Sequence, residues 1–147
     1  MADLYSNTDD GKISGDSNAS WADARDDTTG SSPSTSLTGN SSFTAVNKFA
    51  ARGGGNTYRV ERSFMYFDTS GISGTVSSAT IKLNGYTTAN DGSIIAVKST
   101  AFGGDGGTAL AAEDLDAMPG YSAGASLAGN VTDYSNTILA GGWTGSG

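Results

Sequence analysis

The chain contains no cysteine and no histidine. The first absence excludes disulfides, thiol chemistry and thiolate metal sites. The second excludes imidazole ligands and any serine or cysteine nucleophile activated by a histidine. Proline is scarce too, two residues against 22 glycines in a chain of 147, a pattern that fits neither a collagen repeat nor a proline-rich linker. Positive charge is thin: eight Lys and Arg stand against fifteen Asp and Glu, for a net charge of −7. Nothing resembles the basic stripe that displaces counterions from a phosphate backbone, so DNA and RNA are not expected as partners. No apolar run approaches the roughly 18 residues of a membrane span. The opening MADLYSNTDDGK has neither a basic n-region nor an apolar h-region, so neither membrane contact nor export by a cleaved signal peptide is expected. The sequons at Asn18, Asn40 and Asn130 read as chance in a Ser/Thr-rich chain.

What remains is Gly, Ser, Thr, Ala and Asp, with large apolar residues spaced among them. A chain of this length is expected to form one domain over residues 1–147, burying about 68–70% of its extended surface. The core must be thin, because many apolar positions are Ala. The first thirty residues hold seven of the fifteen acids and are either an acidic disordered arm or a strand-and-turn segment packed on the domain. Leu4, Tyr5, Ile13 and Trp21 are anchors that disordered tails lack, which favours the packed segment.

Period-two alternation dominates the rest. SFTAVNKFAAR (42–52) and YRVERSFMYFD (58–68) read as strands around a GGGN turn (53–56), followed by SSATIKLNGY (77–86) and GSIIAVKST (92–100). A further strand is expected near Val131 to Tyr134. GSSPSTSLTGNSS (30–42) and FGGDGG (102–107) read as loops. ALAAEDLDAM (109–118), ended by Pro119, is the only segment expected to be helical. The predicted fold class is therefore all-β, an antiparallel jelly-roll-like β-sandwich with at most one short helix.

Catalytic and metal signatures are weak. Asp9, Asp10 and Asp16 lack the residue order of an EF-hand loop and are read as turn formers. Glu61 and Glu113 are the only glutamates, and nothing places either opposite a second acid as a glycosidase requires. The glycine clusters lack the Lys-Ser/Thr of a phosphate-binding loop. No enzyme activity, cofactor or metal is expected.

The densest packet of large residues is RVERSFMYFDTSGISG (59–74). RSFMYFDTSGISGTVSSATIKLNGY (62–86) resembles the centre of DNRLRE-type β-sandwich domains: a strand R-S-large-large-x-F-D, a TSGI turn, then a strand S-A-T-hydrophobic-x-L. DDGKISGDSNASWAD (9–23) is similar to the opening strand of that group. With ARGGGNTY, IIAVKST and GYSAGASLAGNVTDYS in order, most of the chain looks like virion-associated structural proteins of tailed phages. Two departures stand out. Tyr66 sits where the family often has Arg, and further C-terminal strands are usual in the family, so the chain is either shortened or completed by a neighbour's strand.

The family's register implies that Met65 and Phe67 point inward and that Arg62, Phe64 and Tyr66 share the outer face as a candidate interface. Each ring would remove roughly 150–250 Å² from water on burial, so either a partner or another segment of the same chain should cover them. The resemblance implies a non-enzymatic virion protein, a capsid decoration or fibre component, associating with its own copies and other virion proteins. The rival expectation is a glycan-binding module, for which Trp21, Tyr58, Tyr86, Tyr121 and Trp143 are candidate platforms by residue type.

Overall fold

A computed structural model describes residues 4–5, 10–16, 19–31, 33–34, 46–50, 55–80, 93–121, 131–132, 134 and 138–139. Among them lie five strands: β1 (Gly11–Ser14), β2 (Val46–Ala50), β3 (Asn56–Phe64), β4 (Ser93–Ile94) and β5 (Ile138–Leu139). One α-helix, α1, spans Trp21–Asp26, and 3₁₀ turns occupy Phe102–Gly104 and Ala112–Asp116. The strands form an antiparallel sheet ordered β1-β3-β2 and a second pair, β4-β5. The described fold is thus mainly β, with small antiparallel sheets and little helix.

β3 is the central strand, paired along both edges. It pairs with β2 as a hairpin, from Val46 opposite Val60 to Ala50 opposite Asn56, in the place where the sequence predicts strands around a glycine turn. On its other edge β1 sets Gly11 opposite Phe64, Ile13 opposite Arg62 and Ser14 opposite Glu61. Directly opposed residues share a face of a sheet. Val60, Arg62 and Phe64 therefore lie on the Ile13 side, and Lys12, Ser14, Glu61 and Ser63 on the reverse. A reciprocal pair of 3.0 Å backbone bonds between Lys12 and Ser34 extends the outer edge of β1.

The Ile13 side carries the core. Ile13, Phe64, Ala101, Phe102, Leu110 and Leu115 are buried together, with Tyr66 and Ala117 packed against them. Burying a side chain such as Ile13 or Leu115 contributes roughly 1.5–3 kcal/mol each. Gly30 shows how close the packing is: a Cβ there would fall 2.3 Å from Ile13 Cγ2 and 2.7 Å from the Ser14 carbonyl oxygen. The Gly30 N–H donates to the Ala112 carbonyl at 3.0 Å, so the missing side chain lets this loop join β1 to the second 3₁₀ turn.

Two helical expectations are corrected. Residues 109–118 form a 3₁₀ turn of five residues, not a helix. The Asp114 carboxylate accepts the Ala111 N–H at 3.0 Å, a local bond that competes with helix propagation. The α-helix instead lies at Trp21–Asp26, a segment the sequence reading gave to strand and turn. Ser20 caps it by accepting the Asp23 N–H at 3.5 Å, and Ala24 is its buried contact. Six residues are too few to hold a helix alone, so its packing against β3 sustains it.

The remaining strand expectations are met unevenly. In 92–100 only Ser93–Ile94 forms a strand, opposite Leu139 and Ile138. Beyond it the Lys98 N–H donates to the Thr132 carbonyl at 2.9 Å and the Tyr134 N–H to the Ala96 carbonyl at 2.8 Å, so the segment near Val131 runs beside it. Residues 77–80 are exposed and outside any strand, and 81–86 lie outside the described residues.

Candidate recognition surface around Trp21

The structure places the three expected interface residues in the interior-facing layer of their own chain. Phe64 is 5% exposed and belongs to the core. The guanidinium of Arg62 donates to the Leu115 carbonyl and, at 3.4 Å, to the Arg25 carbonyl. Its carbon lies 4.8 Å from the centroid of the Tyr121 ring, within cation–π range. Tyr66 meets Phe102 with centroids 6.3 Å apart. Its ring lies over Gly106, where φ is 80° and a Cβ would fall 2.4 Å from Tyr66 Cζ. The expected orientation is therefore reversed: Phe64 faces in, while Met65 and Phe67, expected inside, are half-buried beyond the end of β3. The cause is the pairing with β1, which puts Phe64 on the side of Ile13. The segments that cover these residues belong to the same chain.

The reverse face is polar. Glu61 is only 8% exposed. Its Oε1 accepts from the Ser14 hydroxyl at 2.9 Å, and its Oε2 lies 3.6 Å from Lys12 Nζ. Losing one member of such a buried pair is costly because the other charge stays desolvated. Asp10, also buried, accepts the Tyr66 N–H at 2.9 Å and so continues the β1-β3 pairing past the strand's end. Asp10 and Asp16 flank β1 at opposite ends, which separates two of the three acids considered for calcium; Asp9 lies outside the described residues. Glu113 is exposed. Among the described residues no three acids come together as metal ligands.

A second aromatic contact lies where α1 packs on β3. Trp21 begins the helix, is 42% exposed, and meets Tyr58 of β3 edge-on with centroids 6.3 Å apart and planes at 64°. Arg25 follows one helical turn later, on the same face as Trp21. Its Nε and Nη2 donate to the two carboxylate oxygens of Asp26 at 2.6 and 2.8 Å, and this pairing, led by the side-chain hydrogen bond, raises the guanidinium's pKa. Arg25 is therefore a permanent cation in a planar fork.

The helix is fixed from behind. The Arg25 carbonyl, one of the orphan acceptors of a helix end, receives the Tyr121 hydroxyl at 2.7 Å as well as Arg62 Nη2. Of the five aromatic residues named from the sequence, Trp21 and Tyr58 are brought together. Tyr121 serves this internal clasp, and Tyr86 and Trp143 lie outside the described residues. Sequence reasoning missed Arg25 and Asp26. The available signal was Ser20-x-x-Asp23, a helix-start pattern that would have put Trp21 and Arg25 on one face.

Compared with known protein families, with characterised proteins and with solved structures, the chain shows no match.

Proposed function

We propose that the chain is a non-enzymatic structural protein of a phage virion, a capsid decoration or fibre component built as a jelly-roll-like β-sandwich. It works by associating with copies of itself and other virion proteins. The observation that carries this reading is the segment that follows β3. Of residues 68–80, all but Ile72 are exposed, yet the run opens with a defined turn. The Ser70 N–H donates to Asp68 Oδ1 at 2.9 Å, and the Ile72 N–H to the Thr69 carbonyl at 3.0 Å. A Gly/Ser/Thr run with Val76 at 57% exposure, launched from the central strand, suits addition to a neighbour's sheet.

The resemblance of 62–86 to DNRLRE-type domains supports the same reading, as does a sequence without histidine or cysteine. On this reading the protein is made in the host cytoplasm and resides in the virion, with its acidic residues keeping the outer surface soluble. Negative-stain microscopy of purified virions with an antibody to this chain tests it. Regular labelling at one part of the particle is the expected result; particles free of label would sink the proposal.

A further inference from the structure

We infer that Trp21, Tyr58 and the Arg25–Asp26 fork form a subsite for a neutral saccharide. The inference goes beyond the structural role and does not depend on it. A pyranose ring presents two chemistries at once: an apolar C–H face and a rim of hydroxyls that both donate and accept hydrogen bonds. The first calls for an aromatic face held still. Trp21 is exposed but braced edge-on by Tyr58, and the helix that carries it is held by buried Ala24 and by the two donors on the Arg25 carbonyl. Little freedom is left to lose on binding, which is the condition for a small surface to hold a small ligand.

The hydroxyl rim calls for a donor and an acceptor side by side; Arg25 lies one turn along the same face, and its side chain is bonded to that of Asp26. Arg25 and Asp26 supply both, with side chains 36% and 29% exposed. Two of the five N–H donors of the guanidinium engage Asp26, and the others are the donors the rim would use.

Charge narrows the ligand further. α1 and its C-cap carry Asp23, Asp26 and Asp27 against the single cation Arg25, so phosphates, nucleotides and acidic sugars are repelled. An apolar peptide or lipid would match the indole but would desolvate the ion pair without replacing its water.

Saturation-transfer NMR on the full chain carrying Trp143→Phe tests the assignment. The probes are the methyl glycosides of glucose, galactose and N-acetylglucosamine, with binding expected on the order of 1 mM. Saturable transfer to ring C–H protons is expected with at least one probe. It should vanish in Trp21→Ala, weaken about tenfold in Arg25→Met and persist in Tyr134→Ser, with circular dichroism unchanged throughout. Should Trp21→Ala fail to fold, Arg25→Met decides, because it leaves the aromatic pair in place. Absence of transfer with all three probes, transfer that survives Trp21→Ala, or unaltered binding in Arg25→Met overturns the inference. So does a folded Trp21→Ala that keeps its saccharide response but no longer enters particles, which would make the patch a protein contact.

Discussion

β3 and the thirteen residues 68–80, separated from its end by three residues, are close in the chain and opposite in circumstance. Along β3 both faces are engaged. Val60 and Phe64 enter the apolar side, Arg62 ties down two carbonyls, and Glu61 is paired on the reverse with Lys12 and Ser14. After Phe67 exposure rises abruptly, and the ties found among the described residues are an Asx-type contact at Asp68 and the turn from Thr69 to Ile72. Composition separates them in part: ten of the thirteen residues 68–80 are Gly, Ala, Ser or Thr, against two of the nine in β3. Pairing separates them further: β3 has a neighbouring strand on each edge, and pairing fixes which side chains face the core.

The sharpest way to break the contrast is to make β3 as weakly tied as its successor. Phe64→Ala removes a buried ring from the centre of the cluster and is expected to cost about 3–5 kcal/mol, read as a fall in the urea midpoint at unchanged slope. A loss below about 0.5 kcal/mol, the usual range for surface substitutions, would mean that the ring does not belong to the core.

Next comes the clasp. Arg62→Met keeps the length of the stem but strips the donors from the Leu115 and Arg25 carbonyls, at an expected cost of about 1.5–3 kcal/mol for charge-assisted bonds. Lysine should not restore it, because a point cation cannot span two acceptors as the planar fork does. Equal stability of Arg62→Lys and the wild type would count against the clasp.

The smallest effect is expected in the exposed stretch. Hydrogen bonds from Ser70, the side chain first and the backbone N–H second, hold the Asp68 carboxyl below its ordinary pKa. A carboxylate depressed in this way helps the turn above the ordinary carboxylate range and ceases to do so as the pH falls through the lowered value. The Ser70 amide shift should therefore titrate with a midpoint below that of a free aspartate, with global stability unmoved. A midpoint at or above the ordinary value would remove the turn's electrostatic basis.

Much of the sheet was legible from local pattern. The β2-β3 hairpin and the TSGI turn follow from alternation and glycine placement, both of which act over a few residues. The orientation of β3 was not. RVERSFMYF carries large residues at both parities, so neither face is marked as inner, and Ile13, about fifty positions upstream, decides the matter through its place opposite Arg62. α1 was hidden for a related reason. A six-residue helix with one buried alanine has almost no periodicity to display, and its support comes from β3, Tyr121 and Arg62. The aromatic candidates were named by residue type and not as a group, since only the register of β3 and the helical turn bring Tyr58 to Trp21.

The core is assembled from pieces far apart along the chain. Arg62 reaches a carbonyl 53 residues downstream and Ser14 bonds a carboxylate 47 residues away, whereas the β2-β3 hairpin closes almost locally. Long closures add entropy cost only slowly with length, but they cannot begin until the distant partner exists. Among the described residues, any stretch that stops short of Leu115 lacks part of the buried cluster. As the polypeptide emerges from the ribosome, β3 leaves with the face of Val60 and Phe64 still lacking its cover, and it is the arrival of Phe102, Leu110 and Leu115 that completes it.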